Sequence, residues 1–180
     1  MLQLPPLPSW DSLHPLIIHF PIVLLLVCPL FILIGASLAP AKGHPYMSTA
    51  LILLLLGTAS LFFAVQTGQA ASQLVDRDPP VEVLLKSHYA LATETRDIFV
   101  TLSVIACGVF FVPRLLGKAE RLLFSRVLPL SFLVFYAVGI IFLVNTADRG
   151  GRMVHEVGVH AMISPTTEKP AASPENTAPE

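Results

Sequence analysis

Four apolar runs, at residues 16–39, 46–65, 98–116 and 127–144, alternate with polar stretches along this chain. Crossing about 30 Å of hydrocarbon takes roughly 20 helical residues, and each run meets or approaches that length. Backbone groups in lipid must bond within their own segment, so each run is predicted to be a helix and not an open strand. The expected fold is an all-α membrane protein, a four-transmembrane-helix bundle over residues 14–162. A Pro-rich segment (1–13) precedes it, and a tail (163–180) dominated by Pro, Ala, Thr and Glu is expected to be disordered. Ala39-Pro40-Ala41 looks like a leader cleavage site, but no Lys or Arg precedes Lys42, so the first run is read as a retained span.

The polar stretches carry patterns of their own. Residues 70–97 form the longest connection and are interrupted at Pro79-Pro80. Beyond the interruption, Val81, Leu84, Leu85, His88, Ala92 and Thr95 recur at helical spacing. This predicts an extra amphipathic outer helix leading into the third span, with His88 on its less polar face. In the first span, Pro21 and Pro29 lack the N–H that would bond the carbonyls of Ile17 and Leu25, so bends are expected there. Ser60, Ala64 and Gly68 recur at four-residue spacing, a stripe suited to close helix approach or to a flat cofactor. Gly150-Gly151 predicts a tight turn with positive φ that leaves His155 and His160 on an irregular outer segment.

Composition agrees with the pattern: 54% of residues are hydrophobic and 13% charged, against about 25% charged in soluble domains. The net charge of −1 comes with no basic stripe, so a nucleic-acid partner is not expected. Cys28 and Cys107 lie mid-span in different runs without ligand spacing and read as packing residues. Arg114, Lys118, Arg121 and Arg126 crowd the loop between runs three and four, and Lys42 lies between runs one and two. Short Lys/Arg-dense loops mark the cytoplasmic side, which places both termini outside. His14, His19, His88, His155 and His160 then share the outer side, and only His44, in the first loop, lies inside.

Ionisable side chains beside a membrane interior are costly and usually face protein, a metal or a cofactor. His14 precedes Pro15, which suits a first helical position. His19 follows about 7.5 Å deeper and roughly 140° around a regular helix, so the two rings point apart unless the proline bends re-aim one of them.

The set His14-Pro15…His19-Phe20-Pro21, Thr67-Gly68, His88 and Gly150-Gly151…Val154…Gly158-Val159 resembles a bacterial membrane family known as domain of unknown function 2231. The likeness spans about residues 12–162. It implies a compact four-helix membrane domain with a redox or haem-linked role and no settled activity. An aromatic position after the Gly-Gly pair of the family is taken here by His155, so no family role carries over to His155 or His160.

Three functions follow as alternatives. In the first, a b-type haem is ligated by His19 and His88, with His14 and His155 as hydrogen-bonding or propionate-side groups. The protein would then exchange electrons with a respiratory or periplasmic partner, a quinol or a cytochrome. The second is a transition-metal site of three or four imidazoles. The third is an accessory subunit without cofactor, its histidines capping helix ends. No nucleophile–base pair, phosphate loop or zinc-protease motif supports an enzyme. The expected location is a bacterial inner membrane, with the lipid bilayer as the first partner.

Overall fold

The computed structural model describes residues 8–159. The expectations for the tail and for His160 lie outside the described residues. A 3-10 turn, Trp10–Leu13, and a single α-turn, α1 (His14–Ile17), lead into α2 (His19–Ser37). There follow α3 (Pro40–Ala71), α4 (Pro79–Leu115) and, after a π-turn at Leu123–Val127, α5 (Leu128–His155). Four stretches are long and apolar enough to cross a membrane: Trp10–Ser37, Pro40–Ala71, Pro79–Leu115 and Leu123–His155. Each helix packs on its sequence neighbour, and α2 also packs on α5, which closes the bundle into a ring of four.

Proline starts these helices. Pro15, Pro40, Pro79 and Pro129 occupy first-turn positions of α1, α3, α4 and α5, where a missing N–H leaves nothing unpaired. The end of α4 is set by Gly117, whose φ of 64° continues no right-handed helix. Its N–H donates to the Arg114 carbonyl, and the Lys118 N–H to that of Pro113, closing a Schellman stop.

Helices run further than the apolar runs. Because α3 already begins at Pro40, His44 lies in a helix and not in a loop. The amphipathic stretch after Pro79 is continuous with the third span as one helix of 37 residues. Gly150 and Gly151 are likewise helical, in contrast to the expected turn; positive φ among the described residues occurs only at Gly117 and Gly158. The helix continues because Gly150 is used for space and not for backbone freedom: a Cβ there would stand 3.2 Å from the His88 ring.

The core sits between the helices and the large outward side chains face lipid, as in Leu16, Phe20, Val23, Val104, Phe135 and Ile141. Leu25, Cys28, Leu54, Phe99, Phe132 and Tyr136 form its centre. Small residues recur every seven positions on the buried side of α3, at Gly43, Ala50, Gly57 and Ala64. That is the repeat of a left-handed seam. Of the stripe read at four-residue spacing, only Ala64 is buried; Ser60 bonds its own helix at the Leu56 carbonyl.

Pro29 leaves the Leu25 carbonyl without its helical donor. The Tyr136 hydroxyl, 1% exposed as a residue, fills that place at 2.8 Å from the facing helix. Tyr136→Phe is expected to lower stability by about 1–2 kcal/mol, because the carbonyl would stay buried and unpaired in apolar surroundings. Denaturation in mixed micelles followed by helical circular dichroism measures this, and an unchanged midpoint would contradict it.

Candidate functional site

Two histidines from different helices lie at the end of the bundle that holds Trp10 and His155. His14 opens α1 and lies against the end of α3. Its Nδ1 is 3.2 Å from the Thr67 hydroxyl. That hydroxyl is spent as a donor on the Phe63 carbonyl at 2.8 Å, so the imidazole N–H is the donor to Thr67. His88, on α4, lies against α5, with Nδ1 3.0 Å from the Thr146 carbonyl. A carbonyl only accepts, so this Nδ1 also carries the proton. In a neutral imidazole one nitrogen donates and the other keeps a lone pair. Neither Nε2 has a hydrogen-bond partner among the described residues.

Glycine makes room for both rings. A Cβ on Gly68 would fall 2.8 Å from Cε1 of His14, and one on Gly150 3.2 Å from Cε1 of His88. The two stations therefore share a plan: an imidazole from one helix, and from its neighbour an acceptor at a threonine and a glycine just beyond. His14 and His88 are near enough that a charge on one is felt at the other, and Arg149 acts on His88 in the same way.

Hydroxyl pairs fix the frame around His88. Thr146 donates to the Phe142 carbonyl at 2.8 Å, so the fully buried Thr95 donates to Thr146, also at 2.8 Å. This bond ties α4 to α5 beside the His88 acceptor.

The other predicted site residues stand apart. Pro21 withholds the N–H that would bond the Ile17 carbonyl, yet the chain stays helical through Ile18, whose own N–H donates to the His14 carbonyl. His19, roughly 140° around the helix from His14, is exposed and has no hydrogen-bond partner among the described residues. His155 ends α5, exposed beside a shallow hollow that it shares with Asp148, Arg152 and Glu156. Of the histidines read as site residues, His14 and His88 are held by hydrogen bonds to neighbouring helices, whereas His19 and His155 are exposed. Of Gln66-Thr67-Gly68-Gln69, Thr67 and Gly68 meet the imidazole, while Gln66 and Gln69 are exposed. The aromatic set of α5 serves the core: Tyr136 packs edge-on against Phe99 and Phe132, and Phe135 faces outward.

Three contributors were not read as site residues from the sequence. Thr146 and Gly150 are recognisable only once α4 lies beside α5. Asp11, one turn ahead of His14, has a carboxylate oxygen buried without a hydrogen-bond partner. An acid three residues before a histidine at a helix entrance was its only trace. No group of three or more His, Cys, Asp or Glu able to hold a metal ion occurs among the described residues.

The chain belongs to the family described as "Predicted membrane protein (DUF2231)", whose model matches residues 11–162. No curated protein and no solved structure matches it significantly.

Proposed function

We propose that this family member is a b-type haem protein whose iron is held by His14 and His88, and that it carries electrons at the outer face of a bacterial inner membrane. The observation that carries the reading is the state of the two rings. Each ring has Nδ1 at hydrogen-bond distance from a fixed partner, Thr67 or Thr146, and Nε2 without a hydrogen bond among the described residues, and the two come from separate helices. Ligand histidines usually have this arrangement, because the bonded N–H sets the tautomer and holds the ring.

The residues fit a haem better than a bare metal ion. Two imidazoles suffice for six-coordinate haem iron, whereas a metal cage needs further donors that do not gather here among the described residues. Arg149 supplies positive charge near His88, of the sign that propionates need. When bound, the group supplies a one-electron change at iron, with a potential set by its ligands and their surroundings. The chain's own part is to hold both rings through Thr67 and Thr146.

Purification from haem-replete cells tests the reading. A reduced-minus-oxidised spectrum with b-type bands, and close to one haem extracted per chain, is the expected result. Colourless, metal-free protein from such cells would overturn it and favour an accessory role. Proteolysis of right-side-out vesicles checks the placement of the termini.

A further inference from the structure

A second site lies at the other end of the bundle, independent of the histidine pair. His44 and Gly68 share α3 and are separated along it by roughly 36 Å, so the two ends do not form one pocket. A cavity of about 320 Å3 runs there from Cys28 and Phe132 in the core to His44 and Arg114. That volume falls in the range of about 300–1,000 Å3 typical of small-molecule sites. Ile32, Met47, Leu54 and Ala106 are among its apolar walls.

Arg114 sets the chemistry of the opening. Its guanidinium lies over the Phe110 ring, 3.5 Å from the centroid. Nε donates to His44 Nε2 at 3.1 Å, and Nη1 to the Phe110 carbonyl. His44 therefore accepts through Nε2, and its Nδ1 is 3.5 Å from the Ser48 hydroxyl. Among the described residues Nη2 of Arg114 has no hydrogen-bond partner and no carboxylate lies within 4.0 Å, the ion pairs there being Lys86–Glu82, Arg96–Asp97 and Arg152–Glu156. A half-buried guanidinium beside an apolar cavity at a membrane boundary is a positive charge without a counter-ion. Lys42, Lys118 and Arg121 add charge of the same sign nearby in the chain, while Glu120 lines the same cavity with the opposite sign.

We infer that this cavity binds an anionic phospholipid, its phosphate on Arg114 and part of an acyl chain among the apolar walls. Charge decides the class: a neutral amphiphile such as an isoprenoid quinone fits the walls but leaves the guanidinium uncompensated. Arginine is suited to phosphate through its planar fork of donors, and basic pockets between spanning helices favour anionic headgroups.

The test uses the full chain in an uncharged detergent, titrated with phosphatidylglycerol or with phosphatidylcholine of the same chains and followed by native mass spectrometry. Wild-type protein is expected to prefer phosphatidylglycerol. Arg114→Gln should weaken that binding about fivefold, the effect of one cationic contact, and Arg114→Lys less. Glu120→Gln should strengthen it. Ala106→Phe, which narrows the cavity and leaves every charge in place, should shorten lipid retention. Helical circular dichroism and the lipid-free melting midpoint of each variant separate lost binding from lost fold. Three results would overturn the inference: equal binding of the two lipids, Arg114→Gln that binds phosphatidylglycerol like wild type, or capture of a neutral quinone in preference to either lipid. Undiminished retention by Ala106→Phe would remove the cavity from the account.

Discussion

Alanine at His14 or at His88 is expected to abolish the reduced haem bands, while alanine at His19 leaves them in place. The contrast is large because a six-coordinate site that loses one of two imidazoles loses either its spectrum or its haem. It also discriminates, because the three histidines share one membrane end and differ in what their rings touch. His14 is held at the Thr67 hydroxyl and His88 at the Thr146 carbonyl, while His19 is exposed. Gly68→Val should give an intermediate result, since even a Cβ there would press on the His14 ring and turn it without removing it. Thr67→Val, close in shape but without an acceptor, should shift the midpoint potential and retain the haem, as changes to a ligand's hydrogen-bond partner commonly do. Bands that survive in both His14→Ala and His88→Ala would refute the assignment of these two ligands. Bands lost with His19→Ala as readily as with His14→Ala would show that His19 turns inward once haem is present.

Gly43→Leu is expected to cost at least about 2–3 kcal/mol of stability, with Gly43→Ala at about 1–3 kcal/mol. α2 and α3 meet here backbone to backbone, as small residues permit in lipid. A Cβ on Gly43 would collide with the carbonyl oxygen of Gly35. A flexible side chain can move aside for a new methyl group, but a helical carbonyl can yield only if the whole helix shifts. Gly108 provides the control, since nothing lies within 4 Å of a Cβ built there, and Gly108→Leu should stay within about 0.5 kcal/mol of wild type. Denaturant titration of the purified variants in mixed micelles compares them. Equal midpoints for Gly43→Leu and Gly108→Leu would show that the α2–α3 contact is looser than its geometry implies.

The candidate site was partly legible along the chain. Pro15 pins His14 to a helix entrance, and the spacing through Val81, Leu84, Leu85 and His88 puts His88 on a bundle-facing side; both readings agree with the structure. Choosing between His14 and His19 needed more. Their angular separation on a regular helix is clear from number alone, but which of them faces α3 depends on how the first helix is rotated against its neighbours. The Gly-Gly pair was open to misreading because glycine serves two ends: it permits positive φ, and it vacates the volume of a side chain. Only the position of His88 beside Gly150 tells these apart.

The count of helices, their apolar lengths and their need to cross lipid follow from composition and order, because a bilayer penalises each unpaired backbone group wherever it falls. The orphaned carbonyl of Leu25 was implied by Pro29 as well. That Tyr136 would answer it, that Gly43 would meet Gly35, and that Thr67 and Thr146 would each hold an imidazole were settled by tertiary packing. Contacts between different helices depend on how four similar apolar helices rotate about their axes. Hydrophobicity that surrounds a helix on every side gives little guidance about that rotation, so small residues and hydrogen bonds decide it.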